Sequence, residues 1–350
     1  MKHIFKVGIL IVSIMFFSAC GTSSVYVNSV LPAQISIPEH INHIGVANRS
    51  LAGKGDRIGN VLEGLFSGEE IGADREASEQ CIIGMVEMTN RIGLRLSATQ
   101  IFDESLTGTG TDVMKAPLAA SRVDSICKLN KIDALLVLES FDSDSRTLAG
   151  SPIRRIKKIK DRKVEYLEYP AELFLDITAG WRIYENTKHT IVDQNTFVDG
   201  KKFASTGNSE AEAIDNLPRI RKALKDAGYY AGEQYARRVN PVNTRLARTY
   251  FTKAKKVDDF KVAKSYVKNN NWDEAIAIWK KHVEHSEKKV RGRAAFNMAL
   301  ASEVQGSFSL SMTWAEKAQK EGISLATSYL IALKQRVRNE QLVKEQLYED

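Results

Sequence analysis

The chain has 350 residues, 43% of them hydrophobic and 8% aromatic, enough for two globular domains and too apolar for a globally disordered protein. The 50 Lys and Arg against 43 Asp and Glu give a mildly basic net charge of +7. No aromatic platform is interleaved with the basic residues, which sets nucleic acid aside as a partner, and 3 cysteines are too few for a disulfide framework.

Lys2, His3 and Lys6 form a short basic n-region, and Val7 to Phe17 form an apolar run of 11 residues. That run is well short of the roughly 20 residues a membrane-spanning helix needs. It has the anatomy of a secretory signal, with small residues before the cut. The segment closes with Phe17-Ser18-Ala19-Cys20, which resembles the lipobox of bacterial lipoprotein precursors. The resemblance implies that residues 1–19 are a signal peptide that is removed, and that Cys20 carries two or three acyl chains. Each buried methylene holds at about 0.8 kcal/mol, so such an anchor is durable. Gly21 stands where an aspartate retains many lipoproteins in the inner membrane, and residues 21–31 hold no acid. The expected location is therefore the outer membrane, on its periplasmic face. Loss of Lys2 and Lys6 with the signal lowers the net charge to +5 over 331 residues.

Residues 20–34 are polar and proline-containing, and read as a tether that keeps the next domain near the membrane. A mixed α/β domain is expected over 35–250. Ile41 to Ala47 is a short apolar run, a strand. Residues 51–73 are glycine-rich, with a helical patch around Val61 to Phe66. Asp74 to Ile92 has helical periodicity, with Asp74, Glu76 and Glu79 suited to the positive end of a helix. Leu94 to Ile101 alternates as a strand does. Ala119 to Leu129 is a second helix with Val123, Ile126 and Cys127 on one side. Ala134 to Leu138 is continuously apolar, as in a strand covered on both faces. Arg154, Arg155, Lys157, Lys158, Lys160, Arg162 and Lys163 form a basic run, interrupted among charged residues only by Asp161. It reads as a solvated loop or exposed strand pair that could meet anionic headgroups or an acidic partner. After Pro170, Leu173, Leu175, Ile177, Ala179, Trp181 and Ile183 alternate with Glu172 to Tyr184, a half-buried antiparallel strand. A turn at Asn186 to Lys188 returns it along Thr190 to Val198. Ser209 and Glu212 form a capping box before a long helix toward Val239, with Pro218 expected to kink it or mark its true start. This order resembles, in topology, the small α/β domain of bacterial envelope lipoproteins and curli-secretion-type proteins.

From about Asp258 helical periodicity takes over, and an all-α domain is expected over 251–350. Ala263, Tyr266, Trp272, Ala275 and Trp279, then Asn297, Met298, Ala299, Gly306, Phe308 and Ala318, resemble two units of the tetratricopeptide repeat. His282, Ser311 and Ala315 depart from its pattern. The fold class is thus α+β: a mixed-sheet α/β domain followed by a tetratricopeptide-like helical domain. As a whole the chain resembles uncharacterised lipoproteins of Bacteroidota that join these two parts. That resemblance brings no activity. The expected function is a non-enzymatic, lipid-anchored scaffold whose helical region presents a concave groove to an envelope protein. Lys264, Lys268, Asn297 and Glu303 are the expected partner-binding residues.

Catalytic chemistry has little support. Gly53, Gly55 and Gly59 are spaced as neither a dinucleotide loop nor a P-loop, so no nucleotide or other cofactor is expected. His282 and His285 lack a third metal ligand. Asp142 and Asp144, placed on a loop, lack the remaining parts of a calcium loop, and no metal is expected. Glu69, Glu70 and Asp74 are the acids an envelope glycan hydrolase would use. That enzyme, or a cell-wall-binding module built on residues 154–163, is the alternative to a non-enzymatic scaffold.

Overall fold

The computed structural model describes residues 21–52 and 72–347. The signal segment with Cys20, the glycine loop at Gly53 to Gly59, the patch at Val61 to Phe66, and Glu69 and Glu70 lie outside the described residues. The chain is α+β and divides into two units. One takes residues 30–243 and 341–347, the other residues 21–29 and 244–340.

The first unit is built on a mixed sheet. β2 (His43–Asn48) runs parallel to β3 (Ser97–Ile101) and to β4 (Ala134–Ala149). β4 pairs antiparallel with β6 (Arg162–Glu185), and β6 pairs antiparallel with β7 (Ile191–Gly207). β5 (Ile153–Ile159) continues the line of β4 along the same edge of β6. The alternating residues of β6 behave as the period demands: Leu173, Leu175, Ile177, Ala179, Trp181 and Ile183 are all buried. They face α1 (Ala73–Ile92) and α4 (Ile220–Val239), and Trp181 stacks on Tyr235 at 4.4 Å. The opposite face is covered by α2 (Ala120–Asn130), through Val123, Ile126 and Cys127 against Leu135 and Val137. Cover on both sides accounts for the continuous apolar run of β4.

Helices α1 and α4 cross closely because glycine permits it. A Cβ on Gly232 would lie 1.9 Å from the carbonyl oxygen of Cys81, and one on Gly228 2.2 Å from that of Ala77. α3 (Glu210–Asp215) is capped by Ser209, whose hydroxyl accepts from the Glu212 backbone at 3.2 Å. The Glu212 carboxylate accepts from Asn208 N–H at 2.9 Å, one residue outside the usual box. Pro218 separates α3 from α4 instead of kinking one helix. Cys81 and Cys127 are free thiols in separate clusters, and burial pushes both up, Cys127 to about 11.

The second unit corrects the expected boundaries. Residues 22–31 are not a tether but a strand, β1 (Thr22–Leu31), paired with β8 (Val242–Phe251) in a two-stranded ribbon. The helical part is therefore not all-α. Five helices follow: α5 (Asp259–Lys268), α6 (Trp272–Lys280), α7 (Lys288–Val304), α8 (Phe308–Lys320) and α9 (Leu325–Leu347). The first four form two hairpins. Val27, Tyr250 and Phe251 of the ribbon share one apolar cluster with Trp279, Phe296 and Tyr329. Polar composition hid β1, because Tyr26 and Arg245 face solvent or each other while alternate residues turn inward. Ser311, in place of a small apolar residue, is buried with its hydroxyl donating to the Ala299 carbonyl at 2.7 Å.

Candidate functional site

Two of the four residues expected to bind a partner cannot reach one. Asn297 is fully buried, donating to the Phe251 carbonyl and accepting from the Phe251 N–H, both at 2.7 Å. Glu303 is buried too. Its carboxylate takes bonds from Arg248 at 2.8 Å, from Arg336 at 2.7 Å and from the Tyr329 hydroxyl at 2.5 Å. The helix face proposed as an open groove is thus occupied by the chain's own β8, which docks on α7 through both side chains. Lys264 is half-buried and Lys268 exposed on α5, away from these contacts. Trp272 and Trp279 are buried in the core of the second unit.

Of the other candidates, Asp74 is brought near Asp142 and Asp144, and the histidines lie elsewhere. Asp142 and Asp144 lie within β4, not on a loop, because β6 supplies ladder partners Thr178 and Asp176. Burial first, then the charges of Asp74, Asp144 and Asp112, raise the Asp142 carboxyl above its ordinary value. Asp74 accepts from the Ser143 hydroxyl. His282 bonds Asp259 at 2.8 Å and lies 6.0 Å from the His285 ring. Among the described residues no group of three His, Cys, Asp or Glu side chains is placed to hold a metal.

The basic run, by contrast, is assembled into one structure. β5 and residues 162–168 of β6 form a hairpin closed by Lys160 and Asp161, at φ 44° and 64°. Two successive positive φ values make the tight turn that suits the strand twist, here without glycine. β7 pairs with β6 only as far as Tyr169, so past that point the hairpin is a two-stranded ribbon. Residues 144–165 are all exposed. Paired residues share a face of such a ribbon. One face carries Arg155, Lys157 and Arg162 with Ile153, Ile159 and Val164; the other carries Arg154, Lys158 and Lys163 with Ile156 and Leu167. The acids neutralise little. Arg155 meets Glu168 at 3.0 Å, Lys158 meets Asp161 at 2.7 Å and Arg154 meets Glu165 at 3.7 Å, all exposed pairs. Lys160, Arg162 and Lys163 have no acidic partner among the described residues. The exposed isoleucines are the part that charge counting missed. Their signal was the spacing of Ile153, Ile156 and Ile159 through the basic run.

Residues 41–251 match the family model described as Domain of unknown function (DUF8603), and residues 261–341 match a second, Domain of unknown function (DUF6340). No curated protein matches. Among solved structures, the chain is similar to a neuraminyllactose-binding hemagglutinin homolog from Helicobacter pylori at 13% identity and a TM-score of 0.23, over 58% of this chain and 84% of that one. A TM-score this low carries no argument about fold or function.

Proposed function

We propose, for a chain that belongs to the DUF8603 family through residues 41–251, that the protein is a lipid-anchored, non-enzymatic binding protein of the bacterial envelope. Cys20 holds it on the periplasmic face of the outer membrane, and the hairpin of residues 153–168 is its contact surface. The anchor reading is supported by the basic flank, the short apolar run and Ser18-Ala19-Cys20. Among the described residues no helix is long and apolar enough to cross a membrane.

The observation that carries the contact surface is the hairpin itself. An isolated two-stranded ribbon is marginal in water. This one exposes Ile153, Ile156, Ile159, Val164 and Leu167 on two faces, beside seven cations. Its outer edges keep unpaired backbone N–H and C=O groups, which an extended polypeptide can complete as an added strand. Like charge along the edges disfavours a second copy of the same hairpin and favours an acidic strand. The partner is therefore an extended acidic segment of an envelope protein.

Two measurements test the reading. Mass spectrometry of the membrane-extracted protein should find acyl chains on Cys20; an unmodified thiol overturns the anchor. Calorimetry against a peptide alternating Glu and Val, with its Lys and Val counterpart as control, tests the hairpin. Only the acidic peptide should bind, with affinity that falls as salt rises. The double variant R162E/K163E should lose tenfold or more, at about 1.4 kcal/mol per tenfold. Equal binding of both peptides, or an unchanged affinity in the variant, rejects the hairpin as the site.

A further inference from the structure

β1 leaves no slack between the anchor and the second unit. Gly21 directly precedes the strand, and its carbonyl accepts from Thr252 N–H at 2.8 Å. A Cβ on Gly21 would lie 3.5 Å from the Lys253 Cβ and 3.9 Å from the Arg293 Nη1. Gly21, the residue that follows Cys20 in the sequence, therefore packs beside Lys253 and Arg293. The expected tether would have let the anchored body roam, and the strand fixes which surface faces the lipid.

That surface is basic. Beyond β8 the chain turns through a bridge between Ala254 and Val257, with Lys256 at φ 60°. The turn presents Lys253, Lys255 and Lys256, all exposed. Arg293 lies beneath, donating to the Lys253 carbonyl at 2.6 Å, with its guanidinium 4.9 Å from the Phe251 ring centroid. The neighbouring acids are already engaged: Asp258 pairs with Lys261 at 2.7 Å, and Asp259 bonds His282 at 2.8 Å.

We infer that Lys253, Lys255, Lys256 and Arg293 form a contact site for anionic phospholipid headgroups, in the leaflet that holds the Cys20 acyl chains. The inference rests on the acylation proposed above. The acyl chains supply residence on the membrane, and the cations supply orientation. A basic residue at an anionic surface is worth roughly a fivefold gain in local partitioning. Three lysines on one turn beside the anchor are enough to hold the second unit in one attitude at low salt.

Hydrogen exchange of the acylated full-length chain on vesicles tests this. The vesicles are phosphatidylcholine alone or phosphatidylcholine mixed with phosphatidylglycerol. Amides of residues 252–257 should exchange at least threefold more slowly on the anionic vesicles, and the difference should vanish in high salt. The variant K253E/K255E/K256E should abolish that difference while the amides of β1 keep their protection, which reports an intact fold. A chain that floats with both vesicles but shows equal exchange at 252–257 overturns this inference and leaves the anchor standing. A chain that floats with neither overturns both. Slower exchange confined to residues 153–167 would assign the headgroup contact to the hairpin and reject the site beside Gly21.

Discussion

Each unit of the molecule buries one glutamate among two arginines and a tyrosine, and the two arrangements do different work. Glu139 on β4 takes Arg49 at 2.9 Å, Arg182 at 2.8 Å and the Tyr184 hydroxyl at 2.6 Å. The arginines also donate to the carbonyls of Ala116 and Lys115, and the Tyr184 oxygen accepts from Leu118 N–H. This network fixes a loop over the sheet. Glu303 on α7 gathers Arg248 of β8 and both Tyr329 and Arg336 of α9, and Arg336 also donates to the Asn28 carbonyl of β1 at 2.8 Å. This network fixes a topology, joining segments some three hundred residues apart in sequence. A buried ion pair is weak evidence for stability in itself, because desolvation offsets most of the attraction. What it supplies is a penalty for any arrangement that leaves the charges unpaired.

The largest effect that would break or sharpen this contrast comes from Glu303→Leu, which leaves Arg248 without its carboxylate and Arg336 with only the longer 3.6 Å pair to Glu340. A loss of about 3–5 kcal/mol is expected in urea unfolding. The matching Glu139→Leu should cost a similar amount, but in a different place. Exchange should rise in β1 and β8 for the first variant and over residues 111–118 for the second; exchange rising everywhere in both would erase the distinction. Asn297→Ala comes next. It leaves the Phe251 N–H and C=O buried without partners, at about 1–3 kcal/mol for each group lost. Its signature is a lower unfolding midpoint with peptide binding at the hairpin unchanged.

The smallest effect is in pH. Burial pushes the Glu303 carboxyl up, but hydrogen bonds from Arg248 and Tyr329 and the Arg248 charge outweigh it, so the folded group lies below its ordinary value. A depressed folded value means that the stability it confers is full above the unfolded carboxyl value of about 4.3, and is lost as pH falls through the folded one. Acid titration should therefore loosen β1 and β8 below about pH 4.3, and Glu303→Gln should flatten that dependence. A wild-type profile identical to the variant's would remove Glu303 from the account.

Much of the sheet was legible because one face is buried and its period is two. Leu173 to Ile183 read directly, as did the doubly covered run Ala134 to Leu138. The length of β4 was not, since Asp142 to Ala149 owe their extended form to the ladder with β6 and not to their own composition. β1 was missed for the same reason: a polar strand is specified by the partner it finds, and β8 lies more than two hundred residues away. The site suffered most. Asn297 and Glu303 look like surface polar residues on an amphipathic helix, and only the ribbon above them makes them interior. The basic run read as a solvated loop or an exposed strand pair, and the strand pair is what forms; the choice between them was not legible because the turn at Lys160-Asp161 has no glycine to mark it.

The ribbon also has a consequence for how the chain matures. The second unit is discontinuous, its two pieces separated by the whole of residues 30–243. A segment delivered first must wait, unmatched, until the last third of the polypeptide arrives to receive it. The first unit, all of it but residues 341–347 lying in the intervening stretch, can begin to condense in that interval, whereas the helices share their interior with the waiting strand. Assembly of this protein is thus expected to end where the chain began, with slow docking of the N-terminal strand as its final step.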